Sequence, residues 1–111
     1  MQLLVQVHCN RRRGGGSLRE RIAGDRRLAR FDLAVQKELT PGRNPGWMTL
    51  SSTERGRAGA IKVEWDKDAN LLTCRVVTRG RAPARVVGDL IAYLLKHHYK
   101  RIRALVVVPS V

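Results

Sequence analysis

The chain has 111 residues, with 22 Lys and Arg against 9 Asp and Glu, which gives a formal net charge of +13. That length predicts one small basic domain over residues 1–111. No apolar run approaches the roughly 18 residues that a membrane span needs, and the N-terminus lacks the pattern of a secretory signal, so we expect no membrane association. Two cysteines are too few for a disulfide framework and favour a reducing, cytoplasmic location.

The positive charge is concentrated in two segments of the sequence. Residues 11–30 hold eight arginines against two acidic residues, and residues 75–103 hold eight basic residues against one acidic residue. The remaining positions are balanced, and 17 of the 22 basic residues are arginine. The guanidinium group binds phosphate in a bidentate manner and stacks on bases. The pattern therefore predicts a nucleic-acid-binding protein.

The first 24 residues predict a strand followed by a short helix. Apolar and polar residues alternate over Gln2–Cys9, which is typical of a half-buried strand. Asn10–Gly16 is a basic, glycine-rich loop. Ser17 and Glu20 have the spacing of a capping box at a helix start, and Gly24 can end that helix.

Residues 25–39 have two interpretations. Asp25 can cap a helix, because apolar residues follow at helical spacing from Leu28 onwards. From Phe31 onwards, apolar and polar residues also alternate, as in a strand. We expect the helix and keep the strand as the alternative. Residues 40–46, with two prolines and two glycines, predict a loop.

The second half of the chain predicts a meander, a helix and a last strand. Three alternating segments are the expected meander strands: Trp47–Ser52, Ala60–Asp66 and Leu71–Thr78. Pro83 suits the first turn of a helix. The expected buried stripe of that helix comprises Val87, Leu90, Ile91, Leu94 and Leu95. Ile102–Val108 predicts a largely buried final strand.

These elements follow the order β-α-(α)-β-β-β-α-β. The order predicts an α+β fold, in which an antiparallel β-meander sheet has its helices packed on one face. We expect the other face of the sheet to expose polar side chains, namely Thr49, Ser51, Lys62, Thr73 and Arg75.

Two arginine-rich loops are the candidate phosphate-binding sites. Arg11–Ser17 lies between a strand and a helix, where guanidinium and backbone N–H groups can meet one phosphate. Arg79–Arg81 precedes the long helix, whose first turn contains Arg85. The arginines expected to bind phosphates are Arg11, Arg12, Arg13, Arg19, Arg26, Arg27, Arg30, Arg79, Arg81 and Arg85.

Other chemistry has no clear signature in this sequence. The glycine-rich loop lacks the Lys-Ser or Lys-Thr ending of a nucleotide-hydrolysing P-loop. Cys9, Cys74 and the histidines show no metal-ligand spacing, so we expect neither a metal nor a cofactor. Trp47 and Tyr99 are the aromatic residues best placed to stack on a base, whereas Trp65 is expected in the core.

Over about residues 1–98, the order of elements is similar to that of RelE-type ribosome-dependent RNA-cleaving toxins, which are also small and basic. In that family an arginine after the last meander strand helps to cleave RNA. The resemblance therefore implies a catalytic role for Arg79 or Arg81. This chain departs from the family at Lys62, where an arginine is often found. Double-stranded-RNA-binding domains share the α-β-β-β-α order over residues 25–98, and PD-(D/E)xK nucleases share a similar order, but their E-x-K motif is absent here.

The favoured hypothesis is a nucleic-acid-binding protein without catalytic activity, with RNA slightly ahead of DNA. One alternative is an RNA-cleaving, toxin-like enzyme. Another is an interaction module whose basic surfaces bind an acidic protein. A homodimer formed through the strand Ile102–Val108 also stays open, because that strand can lie at a sheet edge.

Overall fold

The computed structural model describes residues 2–11, 17–38, 47–53, 59–78 and 83–109. Six strands form one sheet: β1 Gln2–Cys9, β2 Leu33–Glu38, β3 Trp47–Ser52, β4 Gly59–Asp66, β5 Leu71–Thr78 and β6 Ile102–Val108. Two α-helices accompany the sheet: α1 Leu18–Ala23 and α2 Pro83–His97. Two short 3₁₀ helices complete the described elements: η1 Arg26–Phe31 and η2 Tyr99–Arg101.

The sheet has the strand order β2-β3-β4-β5-β1-β6, and every neighbouring pair is antiparallel. The chain's first strand is thus inserted between β5 and β6. Directly opposed residues share a face of an antiparallel sheet, and Val5 lies opposite both Cys74 and Val107. The register therefore defines a core face, which includes these residues, and an open face on the other side. The α+β class and the antiparallel sheet are confirmed.

The hydrophobic core lies between the core face and the two α-helices. Alternate residues of the four central strands are buried there: Leu3, Val5, Val7, Cys9, Met48, Leu50, Ile61, Val63, Leu72, Cys74 and Val76. The helices contribute Leu18, Ile22, Val86, Val87, Leu90, Tyr93 and Leu94 to the same cluster. Ser17 caps α1 by accepting a 3.2 Å hydrogen bond from the Glu20 N–H, and Gly24 ends that helix, as the sequence predicts.

The helix expected over residues 25–39 is wrong beyond Phe31. Only one short 3₁₀ helix forms, and Asp32 follows it in the left-handed conformation with φ of 57°. A residue in that conformation stops a helix. The chain then enters β2, which pairs with β3 along its length. Pairing in the sheet overrides the helical spacing of the apolar residues, so the alternative strand interpretation is correct for β2.

Two further expectations concern burial and need correction. Leu95 is about half exposed instead of belonging to the buried stripe of α2, and β6 contains no fully buried residue. Leu95 lies on the side of α2 away from its buried residues Leu90 and Leu94, and the exposure of β6 follows from the strand order, because β6 is an edge strand while α2 packs over β5. An edge strand outside the helical layer keeps part of each face exposed. The predicted loop over residues 40–46 lies outside the described residues.

Candidate nucleic-acid interface

A network of buried polar groups joins η1 to the C-terminal end of α2. The Asp25 carboxylate is its centre and accepts a bidentate pair of hydrogen bonds from Arg27, of 2.8 and 2.9 Å. Its Oδ2 atom also accepts a 2.7 Å hydrogen bond from the Tyr93 hydroxyl and lies 3.1 Å from Nε2 of His98. Nε2 of His98 is in turn 2.8 Å from the Tyr93 hydroxyl oxygen. One carboxylate therefore holds together two segments that are distant in sequence, residues 25–27 and 93–98.

The charge state of this network follows from its geometry. Burial alone would raise the pKa of Asp25, but hydrogen bonds from Arg27 and Tyr93 hold that pKa well below its usual range. Burial and the bond to Asp25 raise the pKa of the Tyr93 hydroxyl. Burial lowers the pKa of His98 despite the opposing effect of Asp25. Because the single hydroxyl hydrogen of Tyr93 goes to Asp25, neutral His98 donates its Nε2–H into the network.

Aromatic packing beside the network fixes η1 against α2. The Phe31 ring lies edge-to-face against Tyr93 at 5.8 Å and against His97 at 5.6 Å between ring centroids. Edge-to-face pairs at this separation are favourable beyond the area they bury. In a 3₁₀ helix, residues three positions apart share a face. Leu28 and Phe31 therefore point to the interior together, while Arg27 and Arg30 share a different face.

Positive charges from both basic segments converge around His97. Burial comes first among the causes that lower the pKa of this imidazole, and the charges of Arg27, Lys96 and Arg30 lower it further. Arg27 and Arg30 belong to the first basic segment, whereas Lys96 belongs to the second. The tertiary structure thus places parts of two distant segments on one surface.

Backbone hydrogen bonds bring the end of β1 to the same place. The Asn10 N–H donates to the carbonyl of Arg101 at 2.9 Å, and the Asn10 side-chain amide donates to the carbonyl of Lys100 at 3.2 Å. Arg11 therefore lies next to η2, which directly follows α2. We name the resulting surface the basic end. Its exposed residues are Arg11, Arg26, Arg27, Arg30, Lys96, Lys100 and Arg103.

The basic end has an acidic border at the β4–β5 turn. The Cys9 N–H donates to the carbonyl of Asn70 at 2.9 Å, which brings this turn beside the end of β1. Asp66 stabilises the turn by accepting hydrogen bonds from the N–H groups of Asp68 and Ala69, of 3.1 and 3.2 Å. The exposed carboxylate of Asp68 would repel a polyanion. The side of the basic end formed by η1, α2 and η2 lies away from this acidic border.

The predicted phosphate-binding arginines lie in different places. Arg11, Arg26, Arg27 and Arg30 belong to the basic end, although Arg27 already forms an ion pair with Asp25. Arg19 is only 6% exposed, and its guanidinium group donates to the carbonyl of Trp47 at 3.2 Å, so it forms part of the interior. Four predicted residues lie outside the described residues: Arg12, Arg13, Arg79 and Arg81.

Arg85 is exposed, but it lies at the opposite end of α2 from the basic end. At 1.5 Å per residue, it is about 18 Å from His97 along the helix axis. Lys96, Lys100 and Arg103 also belong to the basic end, although they were not among the predicted residues. The sequence analysis missed the network of Asp25, Tyr93 and His98. Only a contact map could have found that network, since Asp25 and Tyr93 are 68 positions apart.

The open face of the sheet is more nearly neutral than the basic end. Lys62 and Arg75 are exposed there, as expected, while Thr49, Ser51 and Thr73 are half-buried. Lys62 forms a 3.4 Å ion pair with Glu64, and its ammonium group also lies 5.5 Å from the centre of the Trp47 ring. Lys62 is thus engaged within the sheet. Trp65 packs against the core as predicted.

Within the part of the chain that the structure describes, no three His, Cys, Asp or Glu side chains are grouped as a metal site would require. Cys9 and Cys74 are free and buried. None of the described helices is long and apolar enough to cross a bilayer. Comparisons with protein-family models, with curated proteins and with solved structures find no match.

Proposed function

We propose that the protein binds nucleic acid through the phosphates, and that the basic end is its binding surface. The observation that carries the proposal is the convergence of both basic segments at the C-terminal end of α2. Asp25 is the acidic residue inside this surface, and Arg27 neutralises it. A surface of clustered, exposed positive charges attracts a polyanion and gives affinity that depends steeply on salt.

The arrangement of η1 supports this choice of surface. Arg26 and Arg30 are exposed, while Leu28 and Phe31 attach the short helix to the core and to α2. The backbone of Arg26 and Arg30 is therefore held in place before a ligand binds, which reduces the entropy lost on binding. Lys100 and Arg103 extend the charged surface along η2 into β6.

Single-stranded RNA is the expected preferred ligand. Tyr99 is among the exposed large side chains of the described residues, and it lies in η2 beside Lys100. An exposed aromatic ring within a basic surface can stack on an unpaired base. Paired bases in a duplex do not offer such a face. We therefore expect single-stranded RNA to bind more tightly than duplex RNA and duplex DNA.

Fluorescence-anisotropy titrations test the proposal with labelled single-stranded RNA, duplex RNA and duplex DNA at several salt concentrations. The variant Arg26→Gln with Arg30→Gln removes two positive charges from the basic end. Because each phosphate contact contributes about 0.7 to the salt slope on a single strand, we expect the slope to fall by about 1.4. Binding of unrelated sequences should weaken to a similar extent.

The matched control is Arg75→Gln with Arg85→Gln, which removes the same charge from exposed positions away from the basic end. We expect it to retain most of the affinity and the salt slope. Equal weakening by both double variants would mean that net charge alone matters, and it would refute the basic end as the site. Cleaved RNA in these titrations would support the toxin-like alternative, and absence of binding near physiological salt would favour an acidic protein partner.

A further inference from the structure

The two edges of the sheet differ in their protection against pairing with another strand. Edge strands commonly carry charged residues and bulges that prevent such pairing. At one edge, β2 has a register shift between Val35 and Lys37, and its sequence continues with Glu38. At the other edge, β6 has no charged residue and no proline from Ala104 to Val108. Its register shift is confined to its start, opposite His8 and Cys9.

Both faces of β6 expose apolar side chains. Val106 is 41% exposed and lies opposite Gln6 on the open face. Val107 is 43% exposed and lies opposite Val5 on the core face. Solvent-exposed valines on both sides of the uncharged part of an edge strand are the features that pairing with another strand would bury.

A further exposed apolar side chain lies on the flank of α2 that faces away from η1. Leu95, which is 48% exposed, is two positions from both Tyr93 and His97 and therefore points about 200° away from them around the helix. Tyr93 and His97 face η1 through their contacts with Phe31.

We propose that β6 is a homodimer interface, at which the β6 strands of two copies pair antiparallel and form one continuous sheet. A twofold axis perpendicular to the sheet keeps the core faces of both copies on the same side. Such an interface is self-complementary and closes with two copies, so one apolar strand supplies both halves.

The distribution of charge favours a second copy in this antiparallel arrangement. Arg103 and the rest of the basic end lie at the start of β6. Antiparallel pairing places the start of one β6 beside the end of the other, where the residues are Val106, Val107 and Val108. The two basic ends are then separated by about the length of the strand, roughly 23 Å for seven residues. Two chains of charge +13 can therefore associate without direct opposition of their most basic surfaces.

Sedimentation-velocity centrifugation of the full chain tests this proposal. The concentration should range from about 1 to about 100 µM, which covers homodimers of ordinary affinity. The buffer should contain about 0.5 M salt, because that ionic strength screens the repulsion between basic chains. We expect the molecular mass to double with increasing concentration. Val106→Lys adds the type of charge that protects natural edges and should weaken the dimer at least tenfold.

Val77→Lys is the matched control, because Val77 is 47% exposed but lies on the interior strand β5. That variant should dimerise like the wild type. Urea unfolding must give both variants the same stability within about 0.5 kcal/mol, as expected for surface substitutions. Otherwise Val106→Thr, which adds a polar group and no charge, replaces Val106→Lys and should weaken the dimer by a smaller factor.

Hydrogen exchange at low and high protein concentration identifies the strand that pairs. The amides of residues 104–108 should gain protection at high concentration, while those of β2 should not. A wild-type chain that remains monomeric over the whole range would overturn the proposal. The same conclusion would follow if Val77→Lys and Val106→Lys weakened the dimer equally, or if protection appeared at β2 instead.

Discussion

The two ends of α2 are held to the sheet by different physical means. At the N-terminal end, Val86 packs so closely on Gly59 that a β-carbon added there would lie 3.2 Å from Val86 and 3.3 Å from Thr78. At the C-terminal end, Asp25 and His98 are buried and hydrogen-bonded to each other and to Tyr93. Shape determines the position of one end, and directional polar contacts determine the position of the other.

Among the described residues, the positive charges gather at the C-terminal end of α2, where the directional polar contacts lie. Buried carboxylate and imidazole groups must be paired, so they specify which partners come together. At the C-terminal end this requirement draws Arg27 and η1 against α2, and the exposed arginines of η1 are carried with them. The contact between Val86 and Gly59 at the N-terminal end buries no group that must be paired, and Arg85 is exposed there.

The largest expected effect is that of Asp25→Ala, which disrupts the hydrogen-bonded network at the C-terminal end of α2. It removes the cap of η1, whose Arg27 N–H donates to the Asp25 side chain at 3.0 Å, and leaves Tyr93 and His98 without their shared acceptor. We expect a loss of about 3 kcal/mol in the free energy of unfolding, measured in urea near pH 7. Asp68→Ala, at an exposed turn position, should change it by less than about 0.5 kcal/mol. A loss below about 1 kcal/mol for Asp25→Ala would show that the network is not important for stability.

A second prediction concerns the pH dependence of stability, which should arise from the network at the C-terminal end of α2. Because burial lowers the pKa of His98, the unfolded state binds a proton more readily than the folded state does. Stability is therefore complete above the ordinary histidine pKa of about 6.5 and declines as the pH falls below it. The depressed pKa of Asp25 adds a further loss at more acidic pH, below its ordinary value of about 4. Urea unfolding in steps from pH 8 to pH 3 measures both phases.

His98→Gln is the variant that assigns the first phase of this pH dependence. It should flatten the decline between pH 7 and pH 5, as estimated from the ordinary histidine range. His97→Gln serves as the control and should remove a smaller share, because His97 is only partly buried. A decline that persists unchanged in His98→Gln would contradict the assignment to the buried network.

The smallest expected effect is that of Gly59→Ala, which tests the close packing at the N-terminal end of α2. The added methyl group meets Val86 and Thr78, which are both buried and cannot move freely. We expect a loss of about 1 kcal/mol from overpacking, with no change in the pH dependence. Gly88→Ala is the matched control, since nothing lies within 4 Å of the added carbon on α2. It should stabilise the helix by about 0.5–1 kcal/mol. Stabilisation by Gly59→Ala would show that the contact is loose.

Local patterns predicted much of the fold because they record local physics. Alternating burial gives β1, β3 and β5 the bounds expected from the sequence, and Ser17 and Gly24 cap α1 as expected. Asp25 caps only the short 3₁₀ helix η1 instead of the longer helix that was expected. The helical interpretation was wrong for residues 33–38, because the strand there depends on pairing with β3, which no local pattern reveals. The burial of β6 was overestimated for the same reason, because an apolar run does not indicate whether its strand lies inside a sheet or at its edge.

For the candidate site too, the sequence predicted local properties, and contacts between distant residues decided the rest. Sequence composition established that the chain is strongly basic and that its excess charge falls in two segments, because charge is a property of each residue alone. Which arginines share a surface depended on contacts between distant residues. The Asp25 carboxylate joins η1 to α2, and Asn10 joins β1 to η2. These contacts exclude Arg19 and Arg85 from the basic end and add Lys96, Lys100 and Arg103, since burial and distance are determined when the chain packs.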